Sequence, residues 1–581
     1  MRLMVSKSKN AASLYVVKST YDKGTRSTKV VEKLGTEKDL RKKLGDKDPY
    51  EWAKEYIAEL NKQEKENTRE VMVKYSPIKQ IPMDENVTFN GGYLFLQQLY
   101  HQLDLHKICA DIQDKYKISY SLNDILSRLV YGRILFPASK KATFEQCQNF
   151  MESPTFDEHH IYRALEILSK ESDFIQANLY KNSQNVYPRN KKILFYDCTN
   201  FFFSIEQEEG LKKYGYSKDH QPSPIVQMGL FMDASGIPLA MSITPGNTNE
   251  QTTLKPLERK ILKDFDLAEV IVCTDAGLSS NENRIYNTMG QRSFITTQSV
   301  KKLKDYLKEW ALSPKDWKSS HDTDIYNLND ISNELDKTKT EGDKKRLLGH
   351  VYYKERWIKE GGLEQRLIVT YSPKYAQYQA SIRNKQVERA EKLIQSSTGK
   401  MNTKGKHDVR RFIESKSCTT DGEIATKSVH EISQEAIDKE SMYDGFYAVC
   451  TNLESDIDEI IRINKGRWEI EESFRIMKTD FKSRPVYLQR DDRIQAHFLT
   501  CFISLMIYRL LEKKLDEKYS TNEIISCLKD MNLHQVKGEG YIPSYMRTNL
   551  TDDLHEKWGF RTDYEIVTNK EMKKILKQTK S

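Results

Sequence analysis

The 581-residue chain reads as an α/β protein whose core is split by a long insertion and preceded by a small β-rich arm and an all-α unit. Three observations predict this. β-type runs at 192–203, 225–232, 237–243, 269–274 and 293–297 are interleaved, after the third, with helical segments. Helical periodicity dominates 93–185 ahead of them and returns after about residue 455. Between the fifth run and that return lies a stretch, 300–445, with β-type runs of its own at 351–357 and 366–371 and another at its exit, 446–450.

Taken in order, the first element is a hairpin. Leu14 and Val16 alternate with Tyr15 and Val17, a turn is expected at Asp22-Lys23-Gly24, and the return strand runs from Thr28 to Leu34 before Gly35. Asp48 caps a helix with Pro49 at its first position, on which Trp52, Tyr56 and Leu60 recur at helical spacing; packing and base stacking are both open to these aromatics. Pro77 and Pro82 mark a linker without period. Residues 121–135, stopped at Pro137, and 157–180 are the clearest helices of the all-α unit. The turn Asp233-Ala234-Ser235-Gly236 joins the second and third strands, and Asn247 with Glu250 resembles a capping box. The resulting order, β-β-β-α-β-α-β, is that of the ribonuclease H-like fold, an α/β sheet that presents carboxylates along one edge. The expected organisation is therefore a basic β-hairpin arm plus helix (1–70), a linker (71–88), an α-helical domain (89–188) open both to DNA binding and to a plain helical bundle, a first core segment (189–299), a β-rich insertion (300–445), a second core segment (446–511) and a helical C-terminal region (512–581).

Composition narrows the function. Hydrophobic residues make up 38% and charged residues 30%, which excludes a membrane protein and a disordered one. The most apolar stretch, 496–511, contains His497 and Arg509 and falls short of the ~20 apolar residues of a spanning helix, so it is expected to be a core helix. The polar opening, 1–10, lacks the pattern of a secretory signal, and the eight cysteines are scattered without a Cys-x-x-Cys pair, so a reducing, cytoplasmic location without structural zinc is expected. Of the net charge of +8, residues 1–80 carry 19 basic and 12 acidic side chains, a surplus of +7 at one end. Residues 381–416 hold 10 basic and 4 acidic side chains around Ser396-Ser397-Thr398-Gly399-Lys400 and Lys404-Gly405-Lys406, a pattern shared by phosphate-contacting and plain solvated loops.

Asp197 lies inside the first strand run, where an interior charge needs solvent, a partner or a metal. Asp275 sits at the carboxyl end of the fourth, where open α/β sheets place ligands. Either alone fits a capping or ion-paired aspartate; together, on strands that neighbour one another in this fold, they suit Mg²⁺ or Mn²⁺. In the helical segment 464–478, Arg467, Glu471 and Lys478 are four and seven residues apart and share a face if the helix is continuous, which Gly466 leaves open. A surface ion-pair ladder has the same spacing. The chain has neither a Gly-x-Ser-x-Gly elbow nor a P-loop motif.

The set Tyr196-Asp197-Cys198-Thr199, Pro245-Gly246-Asn247 with Glu250, Thr274-Asp275-Ala276-Gly277-Leu278, and Arg467-Trp468-x-Ile470-Glu471 with Lys478 resembles DDE transposases of bacterial insertion sequences, specifically the group with a β-rich insertion before the glutamate and a Tyr/Arg/Glu/Lys signature. The resemblance implies a ribonuclease H-like core with Asp197, Asp275 and Glu471 as catalytic and metal-binding triad and two Mg²⁺ (or Mn²⁺) ions per site, Asp197 bridging them. It also implies Arg467 and Lys478 as DNA phosphate-binding residues, double-stranded DNA (transposon ends and target) as partner, and a homodimer in the synaptic complex of a bacterial cytoplasmic, nucleoid-associated protein with no membrane partner. Asn464 stands where the family has tyrosine. By the same resemblance the insertion holds flanking DNA; Trp310, Trp317 and Trp357 are open to base flipping or to core packing. A metal-dependent nuclease without strand transfer, and a sequence-specific DNA-binding protein without chemistry, are the alternatives.

Overall fold

A computed structural model describes residues 1–8, 11–22, 25–45, 47–67, 70, 72–73, 76–78, 80–81, 83–265, 269–396, 408–418 and 424–581. Lys23 and Gly24 of the expected turn, Pro82 of the expected linker and residues 397–406 of the expected basic loop lie outside these. Two compact units are present, one of residues 1–85 with 536–539 and one of 86–535 with 540–581.

In the smaller unit, β1 (Arg2–Ser8), β2 (Ala11–Asp22) and β3 (Thr25–Thr36) form an antiparallel sheet in that order. Alternation buries Leu14 and Val16 on one face, and register shifts between Leu14/Tyr15 and Val16/Val17 bring Val17 inward as well. Thr36 caps the helix Glu37–Leu44, its hydroxyl accepting from the Asp39 N–H at 3.2 Å, and Asp48 accepts from the Tyr50 N–H at 2.7 Å to start Pro49–Asn67. Leu40 and Ala53 close over Leu14. The expected hairpin is thus a three-stranded sheet; β1 escapes a sequence reading because Leu3 and Val5 are its only partly buried positions between polar or exposed neighbours. Trp52 and Tyr56 stack on each other, centroids 5.4 Å apart.

The larger unit opens with β4 (Thr88–Asn90) and a series of helices, of which Leu122–Leu135, capped by Ser121, is buried from Ile125 to Leu135. Then come β5 (Ile193–Phe202), β6 (Ile225–Asp233), β7 (Pro238–Pro245), the helix Glu250–Asp264, β8 (Val270–Thr274), the helix Asn281–Tyr286 and β9 (Arg292–Gln298). The cap of Glu250–Asp264 is Asn249, whose side chain accepts from the Gln251 N–H, so the capping box read at Asn247 and Glu250 is corrected by two residues. The insertion adds β10 (Trp317–Ser319), β11 (Ile325–Tyr326), β12 (Tyr352–Glu360), β13 (Leu363–Tyr371), β14 (Ile413–Cys418) and β15 (Ile424–Ile432), after which β16 (Phe446–Thr451) returns. Ten strands form one mixed sheet in the order β11-β10-β12-β13-β16-β9-β8-β5-β6-β7. Within it β5, β6 and β7 are antiparallel neighbours, while β8 runs parallel to both β5 and β9.

The expected β-rich character of the insertion is corrected: four of its strands prolong the core sheet, and among its described residues helices, including the 24-residue Pro373–Ser396, outweigh strands. That helix buries only Pro373, Arg383 and Ala390, leaving no apolar stripe for a sequence reading to detect. The expected helical C-terminal region is likewise corrected. The helices Thr521–Asp530, Asn549–Trp558 and Asn569–Gln578 alternate with β17 (Asn532–Val536), β18 (Gly540–Pro543) and β19 (Val567–Thr568), in a sheet ordered β19-β18-β17-β4. Strands of two to five residues show no period, and β17 pairs with β4 from the other end of the unit, Leu533 opposite Phe89.

Among the described residues, Asp491–Lys514 is the helix long and apolar enough to cross a membrane, but 94% of its apolar window is buried within the protein. Its Arg509 is buried too, donating to the Gly236 carbonyl at 2.7 Å and pairing with Glu469 and Glu512.

Candidate active site

β5 sends Leu194, Tyr196 and Cys198 to one face, against Leu254, Leu257 and Ile261 of the helix after β7. Phe195 points to the other, against Ile460 and Ile463 of the helix Ile457–Lys465. With a side-chain period of two, Asp197 shares the face of Phe195. The parallel register pairs Tyr196 with Thr274, so the next residues, Asp197 within β5 and Asp275 just beyond the end of β8, stand side by side. The Asp197 carboxylate accepts from the Cys198 N–H at 2.7 Å, and Asp275 accepts from the Leu278 N–H at 3.0 Å. A Cβ at Gly277 would stand 3.3 Å from the other Asp275 oxygen, so glycine keeps that oxygen's surroundings open.

Burial pushes the Asp197 carboxyl up to about 6; Lys218 opposes the shift, the nearby Asp275 charge adds to it, and the Cys198 N–H and Arg467 oppose it more weakly. Two adjoining carboxylates, each with one oxygen held by a backbone N–H and, among the described residues, the other without a hydrogen-bond partner, are a hard-oxygen donor set that fits a divalent cation such as Mg²⁺ or Mn²⁺.

Gly466 ends the helix Ile457–Lys465 directly above this face. A Cβ there would lie 2.7 Å from the Phe195 ring. Arg467 follows at the cap of the helix Trp468–Arg475, and its Nη1 donates to the Thr297 hydroxyl at 3.0 Å. Burial works against its charge, while Cys273, Tyr447, Asp197 and Asp275 hold the guanidinium above its ordinary range. Glu471, one turn on, has a side chain 67% exposed and lies 3.9 Å from Arg467. Among the described residues the three acids do not gather within the 4.8 Å of a single three-ligand cluster; the group that does is Asp157, His159 and His160.

The expected single stripe of Arg467, Glu471 and Lys478 is corrected by the backbone. Arg467 precedes the helix, and Lys478 sits in a π-helical turn, Ile476–Asp480, where the 3.6-residue spacing is lost. Lys478 Nζ lies 3.5 Å from Asp219, which also accepts from Arg484 at 2.7 Å. Burial pulls the Lys478 ammonium down and Asp219 opposes it.

A profile of the family described as Transposase DDE domain matches residues 200–364 and 364–507, more than half of the chain. The chain belongs to the DDE transposase family. The match to this transposase begins three residues after Asp197 and contains Asp275, Arg467, Glu471 and Lys478. No curated protein matches the chain. Among solved structures, a cryo-EM structure of the piggyBac transposase synaptic complex with hairpin DNA is similar at 8% identity, over 84% of this chain and 85% of that one, with a TM-score of 0.34.

Sequence reasoning missed several residues of the candidate site. Lys218 donates to the Cys198 carbonyl and lies 3.2 Å from Glu250; burial opposes its charge, but Asp197 and Glu250 keep its pKa above the ordinary value. Asn200 fixes the loop that carries it, donating to the Tyr216 carbonyl and accepting from the Lys218 N–H. Lys218 and Asp219 lie in an irregular loop, where no periodicity signals a role. Tyr447, on β16, is the second surprise. Its hydroxyl accepts from Asn464 Nδ2 at 2.9 Å and is 2.7 Å from the Thr297 hydroxyl that holds Arg467. Of the three tryptophans, Trp317 is fully buried, its Nε1 donating to Ser313, Trp310 packs under Lys354 and Arg356, and Trp357 is 46% exposed.

Proposed function

We propose that this transposase excises a bacterial insertion sequence by cutting DNA at its terminal inverted repeats and joins the ends to target DNA, using Asp197, Asp275 and Glu471 as its acids. The side-by-side placement of Asp197, in the middle of β5, and Asp275, just past the end of the parallel neighbour β8, carries the reading. The strand order β9-β8-β5-β6-β7, with three antiparallel strands followed by two parallel ones, supports a ribonuclease H-like core.

Members of the family use divalent metal ions. Here Asp197 and Asp275, joined by Glu471, would hold two Mg²⁺ or Mn²⁺ ions, which when bound supply electrostatic stabilisation of the charge that develops in phosphoryl transfer. The chain's own residues do the rest. Arg467, fixed by Thr297, presents its guanidinium to DNA phosphate as a fork. Tyr447 brings to Asn464 the phenolic hydroxyl that this sequence lacks at position 464. Lys218 balances the charge of Asp197 and Glu250, and Lys478 binds phosphate as a point charge once DNA displaces it from Asp219. The exposed Glu471 reaches its place when DNA closes over the site. Two element ends need two such sites, so the working form is a homodimer in the bacterial cytoplasm, with the insertion holding flanking DNA.

The test is incubation of the full chain with duplexes carrying its own element's ends, a pre-cut 3′-hydroxyl end among them, in Mg²⁺, Mn²⁺ or Ca²⁺. Cleavage and joining are expected with Mg²⁺ or Mn²⁺, and neither with Ca²⁺ nor with Asp197→Ala. Cleavage without joining would identify a nuclease instead, and cleavage by Asp197→Ala would remove the site.

A further inference from the structure

A second concentration of positive charge lies in a cleft of the larger unit, where the start of the helix Lys140–Cys147 meets residues 485–488 and the helix Asp491–Lys514. The cavity volume is about 60 Å³, room for ~4 water-sized bodies. Arg133, Lys140, Lys141 and His497 line it together with Tyr162 and Tyr487, and no carboxylate does.

The cations are deeply placed: Arg133, Lys140 and His497 are 5%, 6% and 3% exposed. Lys140 Nζ lies 3.3 Å from His497 Nδ1, and His497 Nε2 lies 2.9 Å from the Ser483 carbonyl. That carbonyl can only accept, so the imidazole proton is on Nε2 and Nδ1 is an acceptor for the lysine. Among the described residues, the other Lys140 protons have no acceptor and no carboxylate forms an ion pair with Arg133, Lys140 or Lys141. Arg133 spends its Nη protons on the carbonyls of Phe481, Lys482 and Ala138, and its Nε has no partner. Burial and the Arg133 charge push the Lys140 ammonium down to about 7. Buried positive charge without a counterion is costly. Lys140 and Lys141 also begin a helix; Ser139 caps it, its hydroxyl accepting from the Ala142 N–H at 3.2 Å, and among the described residues the Lys140 and Lys141 N–H groups have no acceptor.

We propose that this cleft binds a phosphate group, either a phosphodiester of a DNA strand or the phosphate of a free nucleotide, through Lys140, Lys141 and the helix N-terminus. Tyr487, 73% exposed at the mouth, is placed to stack on the attached base. The phosphate site stands on its own geometry; only DNA as its source rests on the transposase reading.

The experiment follows thermal unfolding of the full chain during titration with inorganic phosphate, at ionic strength held constant with chloride, for the wild type, Lys140→Met and Lys141→Ala. Phosphate is expected to raise the wild-type Tm beyond the chloride control. Lys140→Met should be more stable than wild type without phosphate and lose the response. Lys141→Ala, whose side chain is exposed, should bind phosphate about 10-fold more weakly, and it decides the matter if Lys140→Met does not fold. A response no larger than chloride's, or equal in wild type and both variants, overturns the site. A duplex oligonucleotide and a mononucleotide then separate the sources. If DNA is the source, Lys141→Ala weakens duplex binding about 10-fold; if a free nucleotide is, only the mononucleotide response falls. No part of this readout requires DNA cleavage, so a failed cleavage assay leaves it intact.

Discussion

Replacing Asp197 by asparagine in the metal-free protein should stabilise the fold while removing the chemistry. The carboxyl's folded-state value of about 6 stands above its ordinary 3.8. The sign follows from proton counting. Between those two values the folded chain holds a proton that the unfolded chain has lost, so stability falls as pH rises from about 4 to about 6 and stays reduced above that. At 1.36 kcal/mol per pKa unit, the ionised aspartate costs the fold about 3 kcal/mol near neutral pH. This is an upper bound, because the residue is only partly buried by its surface accessibility. Asparagine keeps the acceptor for the Cys198 N–H and carries no charge. In urea unfolding with a chelator present, Asp197→Asn should gain up to about 3 kcal/mol above pH 7 and almost nothing below pH 4. Added Mg²⁺ should narrow the gap by stabilising the wild type alone. A variant less stable than wild type at neutral pH, or a difference that does not change with pH, would refute the claim that Asp197 is held ionised against its surroundings.

Three further outcomes are expected. Glu471→Gln alters an exposed side chain, so its unfolding should stay within about 0.5 kcal/mol of wild type while DNA cleavage is lost; retained cleavage removes Glu471 from the site. Gly246→Ala would put a Cβ 2.2 Å from the Ile225 carbonyl oxygen and 2.4 Å from that of Lys213, backbone that cannot yield, so a loss of about 1–3 kcal/mol and reduced cleavage are expected as the loop bearing Lys218 shifts. Arg509→Met leaves Glu469 and Glu512 without their buried partner, and thermal unfolding should report about 3–5 kcal/mol of destabilisation; a neutral result would show that the two acids relax to solvent.

The core strands were legible in the sequence because each obeys a local rule. The run 192–203 became Ile193–Phe202 and 237–243 became Pro238–Pro245, since β-branched and aromatic residues end at turn formers. Asp233 shows the turn chemistry directly, accepting from the Ser235 and Ile237 N–H groups before Gly236 at φ +73°. What stayed hidden depends on distant partners or on broken periods. β17 becomes a strand only because β18 and the distant β4 lie on either side of it. The 3.6-residue extrapolation through 464–478 fails at Gly466 and again at the π turn. Of the site, acids carried on strands could be read from pattern and position, whereas Lys218, Asp219 and Tyr447 acquire meaning only from the side chains the fold sets against them.

The unbroken run of hydrogen-bonded strands has a mechanical consequence. β16 pairs with β13 on one side and β9 on the other, so the inserted segment is laced into the same lattice as the acids and not hung from it by a tether. Four strand spacings, about 19 Å, separate β13 from the strand bearing Asp197. Cutting out residues 300–445 would leave β16 as a raw border with unpaired backbone groups, an invitation to self-association. The segment is better regarded as a stiff outrigger than as a detachable cassette.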